Sequence, residues 1–340
     1  MRTRNVLQEP RPNLLLAGAA LILSVASPTS AQDFADLNPP IVEDIPDGFV
    51  LIDGDMLLPE ESVGQTAAAY QTNLWPSGIV RFEFDDNVTA ANRTAMISAM
   101  GFWEAVANVQ FLPRLGGELF FVHIQSSTGN NSQVGMIAGG QVINIVSWGS
   151  PYIIAHELGH CLGFIHEHQR GDRDSFVSIT AGNVQGGFGN QVSLLDPLVY
   201  GPYDFDSLMH YDGCSFSVCC PAGSTCNCSP ACQTITVLPA NNAQWQSQIG
   251  QRTHLSYWDA LVMSFAYPPS DWRFQRNSSG NDVVFPGAFL LPYSSFGKGY
   301  AETPPGGTLW ILEPSSHAVG PVLDKPMTIG APLGGVILTR

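Results

Sequence analysis

The chain is short of charge, and shortest of positive charge. Its 340 residues hold 14 Lys plus Arg against 29 Asp plus Glu, for a formal net charge of −15 with only 13% charged residues. So few cations on an acidic surface offer little to a phosphate backbone or an anionic lipid face, which excludes nucleic acid and membrane surfaces as expected partners. Between Arg11 and Arg81 there is no Lys or Arg, so a trypsin-like protease has nothing to cut there. Cysteine is missing before Cys161, and six of the seven then crowd between Cys214 and Cys232. Also missing beyond the amino-terminal stretch is any apolar run near the roughly 20 residues that a membrane-spanning helix needs. Length alone allows about two domains with ample core.

What is present begins with a secretory pattern over residues 1–31. Arg2, Arg4 and Arg11 precede an apolar stretch at 14–26, and Ser30-Ala31 stands before Gln32. At about 13 residues the stretch is too short to span a bilayer comfortably, so export to the extracellular medium is expected, with a retained anchor as the alternative. Residues 32–65 carry nine Asp or Glu together with Pro39, Pro40, Pro46 and Pro59. Such a segment has little to bury and is expected to be mostly extended.

The rest of the chain is organised around His156-Glu157-Leu158-Gly159-His160-Cys161-Leu162-Gly163-Phe164-Ile165-His166. Histidines four apart on a helix share a face, where two neutral imidazoles can hold one tetrahedral zinc. Glu157, beside the first of them, can reach a water on the metal without being a ligand. Gly163 permits a conformation closed to residues with a Cβ, so the helix can end there and the chain can bring His166 back as a third ligand. Three protein ligands leave a coordination position open, the arrangement of a catalytic site. A zinc class that takes its third ligand from a downstream Glu has none to use, because Glu167 is the last Glu before Glu302.

The run continues Glu167-His168-Gln169-Arg170-Gly171-Asp172-Arg173-Asp174, and Ser207-Leu208-Met209-His210-Tyr211 follows. With the metal motif these resemble the extended zinc signature and Met-turn of the astacin family of metzincin metalloendopeptidases. Leu74-Trp75-Pro76-Ser77-Gly78-Ile79-Val80 is similar to the family's first strand, and the stretch from Ile249-Gly250-Gln251-Arg252 to Asp259 to its last helix. The resemblance covers about residues 70–268. It implies an α+β catalytic domain in two subdomains, with a zinc cleft between a mixed sheet with helices and a loop-rich lower half. It further implies one Zn2+ per chain on His156, His160 and His166, Glu157 as general base, Tyr211 as hydrogen-bond donor to the oxyanion and Met209 as an apolar floor. Asp53-Gly54-Asp55-Met56 resembles the family's propeptide switch, whose aspartate caps the metal in the precursor; Ile52 stands where the family usually has Phe. Glu167 would receive the freed amino terminus, with the junction near Thr66-Ala67-Ala68-Ala69. The implied division is a signal peptide at 1–31, a propeptide at 32–68, a peptidase domain at 69–268 and a β-rich extension at 269–340. Protein or peptide substrates, and the propeptide as inhibitor, are the implied partners.

The pattern predicts a helix over 89–108 with Thr89 as N-cap and Ile97, Met100, Trp103 and Ala107 on its buried face. Strands are expected at 79–84, 118–125 and 141–146, and a loop-rich region at 175–213. A strand bordering the cleft can pair with an extended peptide, but which strand forms the edge is not legible. In an exported chain the six clustered cysteines read as disulfides with fifteen possible pairings, neighbours too close to bridge each other. Cys161 is left over and reads as a small core residue. The family's usual bracing disulfides are absent, with Val109 where one such cysteine would fall. His123, His168, His210, His254 and His317 read as solvated or core imidazoles. In the extension, apolar runs near 304–311, 325–329 and 334–338 are spaced like β-helix rungs; they can bind a surface polysaccharide or merely cap the catalytic domain. A surface-binding protein with a structural or inactive zinc site is the alternative function.

Overall fold

The computed structural model describes residues 45–52, 54–59, 73–195, 199–221, 226–318 and 323–339. The expected signal peptide, most of the propeptide and the junction at Thr66 lie outside the described residues. The part of the acidic segment that is described folds as a hairpin. Strand β1 (Phe49–Ile52) pairs antiparallel with β2 (Met56–Pro59), and Gly54 takes a φ of 76° in the turn between them. Little was expected to be buried here, yet Met56, Leu57 and Leu58 are, and Ile52, Met56 and Leu58 share a cluster with Val134 and Ile165. Acidic composition masked a short apolar run that has a surface to dock against.

Strand β3 (Ile79–Phe84) leads into helix α1 (Ala90–Glu104), whose N-cap Thr89 accepts from the Asn92 amide at 3.2 Å. The helix buries Met96, Ala99, Met100 and Trp103 and leaves Ile97 56% exposed. The buried set follows i, i+3, i+4, i+7 from Met96. Ile97 lies one residue, about 100°, off that stripe, which corrects the expected face. Strands β4 (Gln110–Pro113), β5 (Val122–Ser126), β6 (Asn131–Gln133) and β7 (Gln141–Ile145) complete a mixed sheet in the order β1-β2-β6-β7-β5-β3-β4. Strand β5 starts at Val122 rather than near 118, because Leu119 and Phe120 face solvent. Within the catalytic sheet β6 is the border, antiparallel to β7, and β2 covers it in parallel through Met56↔Ser132 and Leu57↔Gln133.

Helix α2 (Pro151–Cys161) packs on α1, and the Trp103 indole donates to the Ala155 carbonyl at 2.8 Å. Trp103 is fully buried, and truncating such a side chain costs about 3–5 kcal/mol. Below α2 the chain is loop-rich, with one small antiparallel pair, β8 (Val177–Ile179) and β9 (Ile235–Val237), then α3 (Pro239–Trp245) and α4 (Tyr257–Ala266). Disulfides Cys214–Cys228, Cys219–Cys232 and Cys220–Cys226 tie the cysteine-rich loop, and no near neighbours bridge.

The extension contributes β10 (Trp272–Gln275), α5 (Phe296–Glu302), β11 (Thr308–Ile311), β12 (Ser315–Ala318), β13 (Thr328–Gly330) and β14 (Val336–Thr339). Strands β10, β11 and β13 stack in parallel, as do β12 and β14, so the chain repeats a coil with Thr308 over Thr328 and Ser315 over Val336. The stack does not stand alone. Phe265 of α4 packs with Phe274, Phe289 and Trp310 at ring distances of 5.2, 5.5 and 4.9 Å, one aromatic core across residue 268.

Candidate active site

Helix α2 places the His156 and His160 imidazoles one turn apart, with their Nε2 atoms 3.2 Å from each other. The helix then ends in a Schellman turn. The Phe164 amide donates to the Gly159 carbonyl and the Gly163 amide to that of His160, with Gly163 at a φ of 109°. This reversal brings the His166 Nε2 to 3.2 Å from that of His156. The Nδ1 of His156 lies 2.9 Å from the Leu208 carbonyl and that of His160 2.7 Å from the Phe164 carbonyl. Each Nδ1 must carry the proton it donates, so each Nε2 lone pair points inward. Burial pushes the pKa of His156 down to about 4 and holds that of His160 well below the usual histidine range, so both are neutral.

Asp55, at the hairpin tip, enters among these nitrogens. Its Oδ2 lies 3.1 Å from the Nε2 of His156, and its Oδ1 lies 3.2 Å from that of His166 and 3.7 Å from that of His160. Burial works against its charge, yet the His166 imidazole beside it holds the carboxyl well below its ordinary range. Zinc–donor bonds of about 2.0–2.1 Å in a tetrahedron set the donors about 3.3 Å apart. The spacings above match that figure, and three imidazoles with one carboxylate suit zinc. Among the described residues no other group of His, Cys, Asp and Glu gathers in this way.

Glu157 is fully buried next to His156, and neither carboxylate oxygen has a hydrogen-bond partner among the described residues. Burial first, and the Asp55 charge second, hold its pKa well above the ordinary range. The Tyr211 hydroxyl donates to the Asp55 Oδ1 at 3.1 Å, and its ring stacks on His168 at 4.5 Å. Met209 lies under α2. A Cβ on Gly159 would come 2.8 Å from the Met209 Sδ and 3.2 Å from the Trp103 ring, so glycine there lets helix and turn approach. Glu167 sits beside His166 but faces away from this cluster, where its Oε1 accepts from the Arg170 Nη1 at 2.7 Å and the Asp204 amide at 2.8 Å. Burial pushes its pKa up to about 8. Cys161 is buried, and burial moves its thiol up to about 12.

The structure thus brings His156, His160, His166, Glu157, Tyr211 and Asp55 together, with Met209 and Gly163 shaping the support and Glu167 on a neighbouring cavity. Sequence reasoning overlooked two supports. Asp259 accepts from the Ser207 hydroxyl and the Leu208 amide, both at 2.7 Å, and so clamps the methionine turn to α4. Arg252, expected on a helix, precedes α4 in a loop, and its buried guanidinium donates to the His210 carbonyl at 3.1 Å. Asp259 also closes a capping box with Ser256, a local signal for the start of α4, but the supporting contacts of both residues arise only where distant segments meet.

Such a centre belongs to the zinc-dependent peptidases. Within them the chain is a member of the astacin family: the model of the Astacin peptidase family matches residues 67–268, more than half its length. Zinc metalloproteinase nas-14 of Caenorhabditis elegans is 32% identical over 207 residues, covering 58% of this chain and 38% of that protein. Tolloid-like protein 2 of Homo sapiens is 38% identical over 220 residues, covering 61% of this chain and 20% of that protein. The chain therefore spans well under half the length of these curated relatives. Among solved structures it is similar to high choriolytic enzyme 1, a hatching-enzyme zinc protease of Oryzias latipes. That match has 27% identity and a TM-score of 0.50, and covers 57% of this chain and 93% of the other.

Proposed function

We propose that the chain is the precursor of a secreted zinc endopeptidase, kept inactive by Asp55 of its own propeptide. The carrying observation is the Asp55 carboxylate, 3.1 Å from His156 and 3.2 Å from His166, in the one place where a catalytic site must stay open. His156, His160 and His166 would hold the metal. Zinc bound there supplies Lewis-acid polarisation of the scissile carbonyl and the attacking water. Glu157, with no partner to hold its oxygens, takes the proton of the attacking water and delivers it to the leaving amine. Tyr211, once Asp55 has left, turns its hydroxyl to the developing oxyanion. Strand β2 lies along β6, so the edge to which a substrate peptide would add stays covered until the hairpin leaves.

The junction near Thr66 and Glu167 form the second half of this reading. Glu167 lines a cavity of about 90 Å3 together with Asp204 and Asp259, three carboxylates against the single guanidinium of Arg170. Arg170 pairs with Glu167 at 2.7 Å and leaves the other two carboxylates without a cation, so a freed α-ammonium would offset the remaining negative charge of this cavity. Secretion is supported by the basic and apolar pattern at 1–31 and by three disulfides, which persist in oxidising compartments. Among the described residues no helix is long and apolar enough to cross a membrane. A structural or inactive metal site, with the extension binding a polysaccharide, is not favoured, because such a site has no use for the idle carboxylate of Glu157.

The test is a peptide-library digest by the processed and unprocessed chains, with zinc content measured on both. Chelator-sensitive cleavage by the processed chain alone is the expected outcome. A zinc-loaded processed chain without activity, or an equally active precursor, refutes the proposal.

A further inference from the structure

Tyr211 is buried, and three rings lie against its own. His166 and His168 stand 4.4 and 4.5 Å away, centroid to centroid, and both belong to the metal stretch. The third ring, Phe216 at 5.7 Å, comes instead from the loop that the three disulfides tie. Aromatic pairs attract over centroid distances of about 4.5–7 Å. Phe216 is itself buried, and the Phe188 ring stacks on it at 5.3 Å. The cysteine-rich loop therefore meets the side chain assigned to the oxyanion through one ring contact.

The backbone of Phe216 shows that this contact is imposed. Its φ is 55°, in the left-handed region, where a bulky side chain is sterically disfavoured. Such a conformation persists only where the surroundings over-determine it. Here they do. Cys214 and Cys219, on either side of it, are bonded to Cys228 and Cys232. The Phe216 carbonyl accepts from the Gln185 amide at 2.9 Å, and the Ser215 carbonyl from the Thr234 hydroxyl at 2.7 Å. The Ser217 hydroxyl donates to the Cys232 carbonyl at 2.6 Å. Each residue from Cys214 to Ser217 is thus tied to another part of the chain.

We propose that Phe216 is a positioning residue for peptide-bond cleavage: the disulfide-braced loop holds its ring where it limits the rest position and swing of Tyr211, and so aims the Tyr211 hydroxyl at the oxyanion. In the precursor that hydroxyl donates to Asp55 at 3.1 Å. Once Asp55 leaves, this hydrogen bond is lost while the contact with Phe216 stays. A donor aimed in advance needs no reorganisation when charge develops on the substrate oxygen. The inference rests on the reading above that Tyr211 serves the oxyanion; what it adds is Phe216 and a task for the cysteine-rich loop. Phe216 acts on the chemistry through Tyr211.

The processed enzyme is prepared as wild type, Phe216→Leu, Tyr211→Phe and with both changes together, and zinc content and Tm are measured on each. Phe216→Leu keeps an apolar side chain and removes the ring. It should lower kcat by about 2–12-fold, the equivalent of one aromatic pair, with KM little changed and zinc retained. Affinity for a phosphinate peptide, whose tetrahedral oxygens stand in for the oxyanion, should fall by the same factor. In the Tyr211→Phe background there is no hydroxyl to aim, so Phe216→Leu should change neither kcat nor that affinity. Should Phe216→Leu fail to fold, Phe216→Gly takes its place in the comparison, because glycine accepts a φ of 55° without strain. A purely structural role would lower kcat alike in both backgrounds. That result, or an unchanged kcat in Phe216→Leu, overturns the inference while Tyr211 keeps its role. If Tyr211→Phe leaves kcat unchanged, the reading of Tyr211 fails, and the inference with it.

Discussion

Replacing Asp55 by Ala in the unprocessed chain separates two anchors that hold the hairpin in the cleft. The first is the carboxylate, which accepts from Tyr211 at 3.1 Å and lies within 3.1–3.7 Å of three imidazole nitrogens. A hydrogen bond to a charged group contributes about 1.5–3 kcal/mol, so its loss should raise the population with the hairpin out of the cleft about 10–150-fold. The second anchor is apolar. Met56 and Leu57 are fully buried and Leu58 nearly so, and each such side chain contributes about 1.5–3 kcal/mol. The apolar anchor therefore survives the substitution, and β2 remains on β6 for most of the time. The variant precursor should cleave a short fluorogenic peptide about 10–100-fold faster than the wild-type precursor, with chelator sensitivity, and still fall short of the processed enzyme. The assay needs an intact amino terminus, checked by mass spectrometry before and after. Equal, low turnover in both precursors, with zinc present in each, would refute Asp55 as the lock and leave the apolar strand to block the cleft alone.

Other substitutions probe single contacts. Glu157→Gln preserves shape but removes the base, so zinc content should hold while kcat drops by about 10²–10⁴; retained zinc with near-normal turnover would remove Glu157 from the mechanism. Tyr211→Phe should lower kcat of the processed enzyme by about 10²–10³, as other oxyanion donors do, with KM little changed. Gly159→Ala drives a methyl to 2.8 Å from the Met209 Sδ, and such overpacking costs about 1–3 kcal/mol, seen as a lower Tm in the processed enzyme. Terminal sequencing of that enzyme should find a start within a few residues of Thr66; a start beyond Trp75 or before Asp55 would end the assignment of Glu167 as its partner.

What the sequence determined by itself is local. Two histidines one helical turn apart, a glycine able to hold a φ of 109° and a third histidine three residues later confine the metal ligands to one short stretch. The reason is that backbone geometry within a turn or two depends on nearby residues alone. Thr89 as N-cap was legible on the same ground. The buried stripe of α1 was not, because Met96 and Ile97 are both apolar and only the docked sheet and α2 choose between them. That Asp55 would reach His156 across 101 positions was legible only through the family resemblance of Asp53-Gly54-Asp55-Met56, and nothing in the order of residues said that β6 would form the border or which cysteines would pair. The acidic composition of 32–65 even argued against burial, since it averages over the short run Met56-Leu57-Leu58 that docks. Arg252 carries no local signature for its contact, and the capping box of Ser256 and Asp259 marks only where a helix starts. Their roles arise where segments distant in the chain pack together, and that packing is settled by the total of many weak contacts, which only the folded tertiary structure displays.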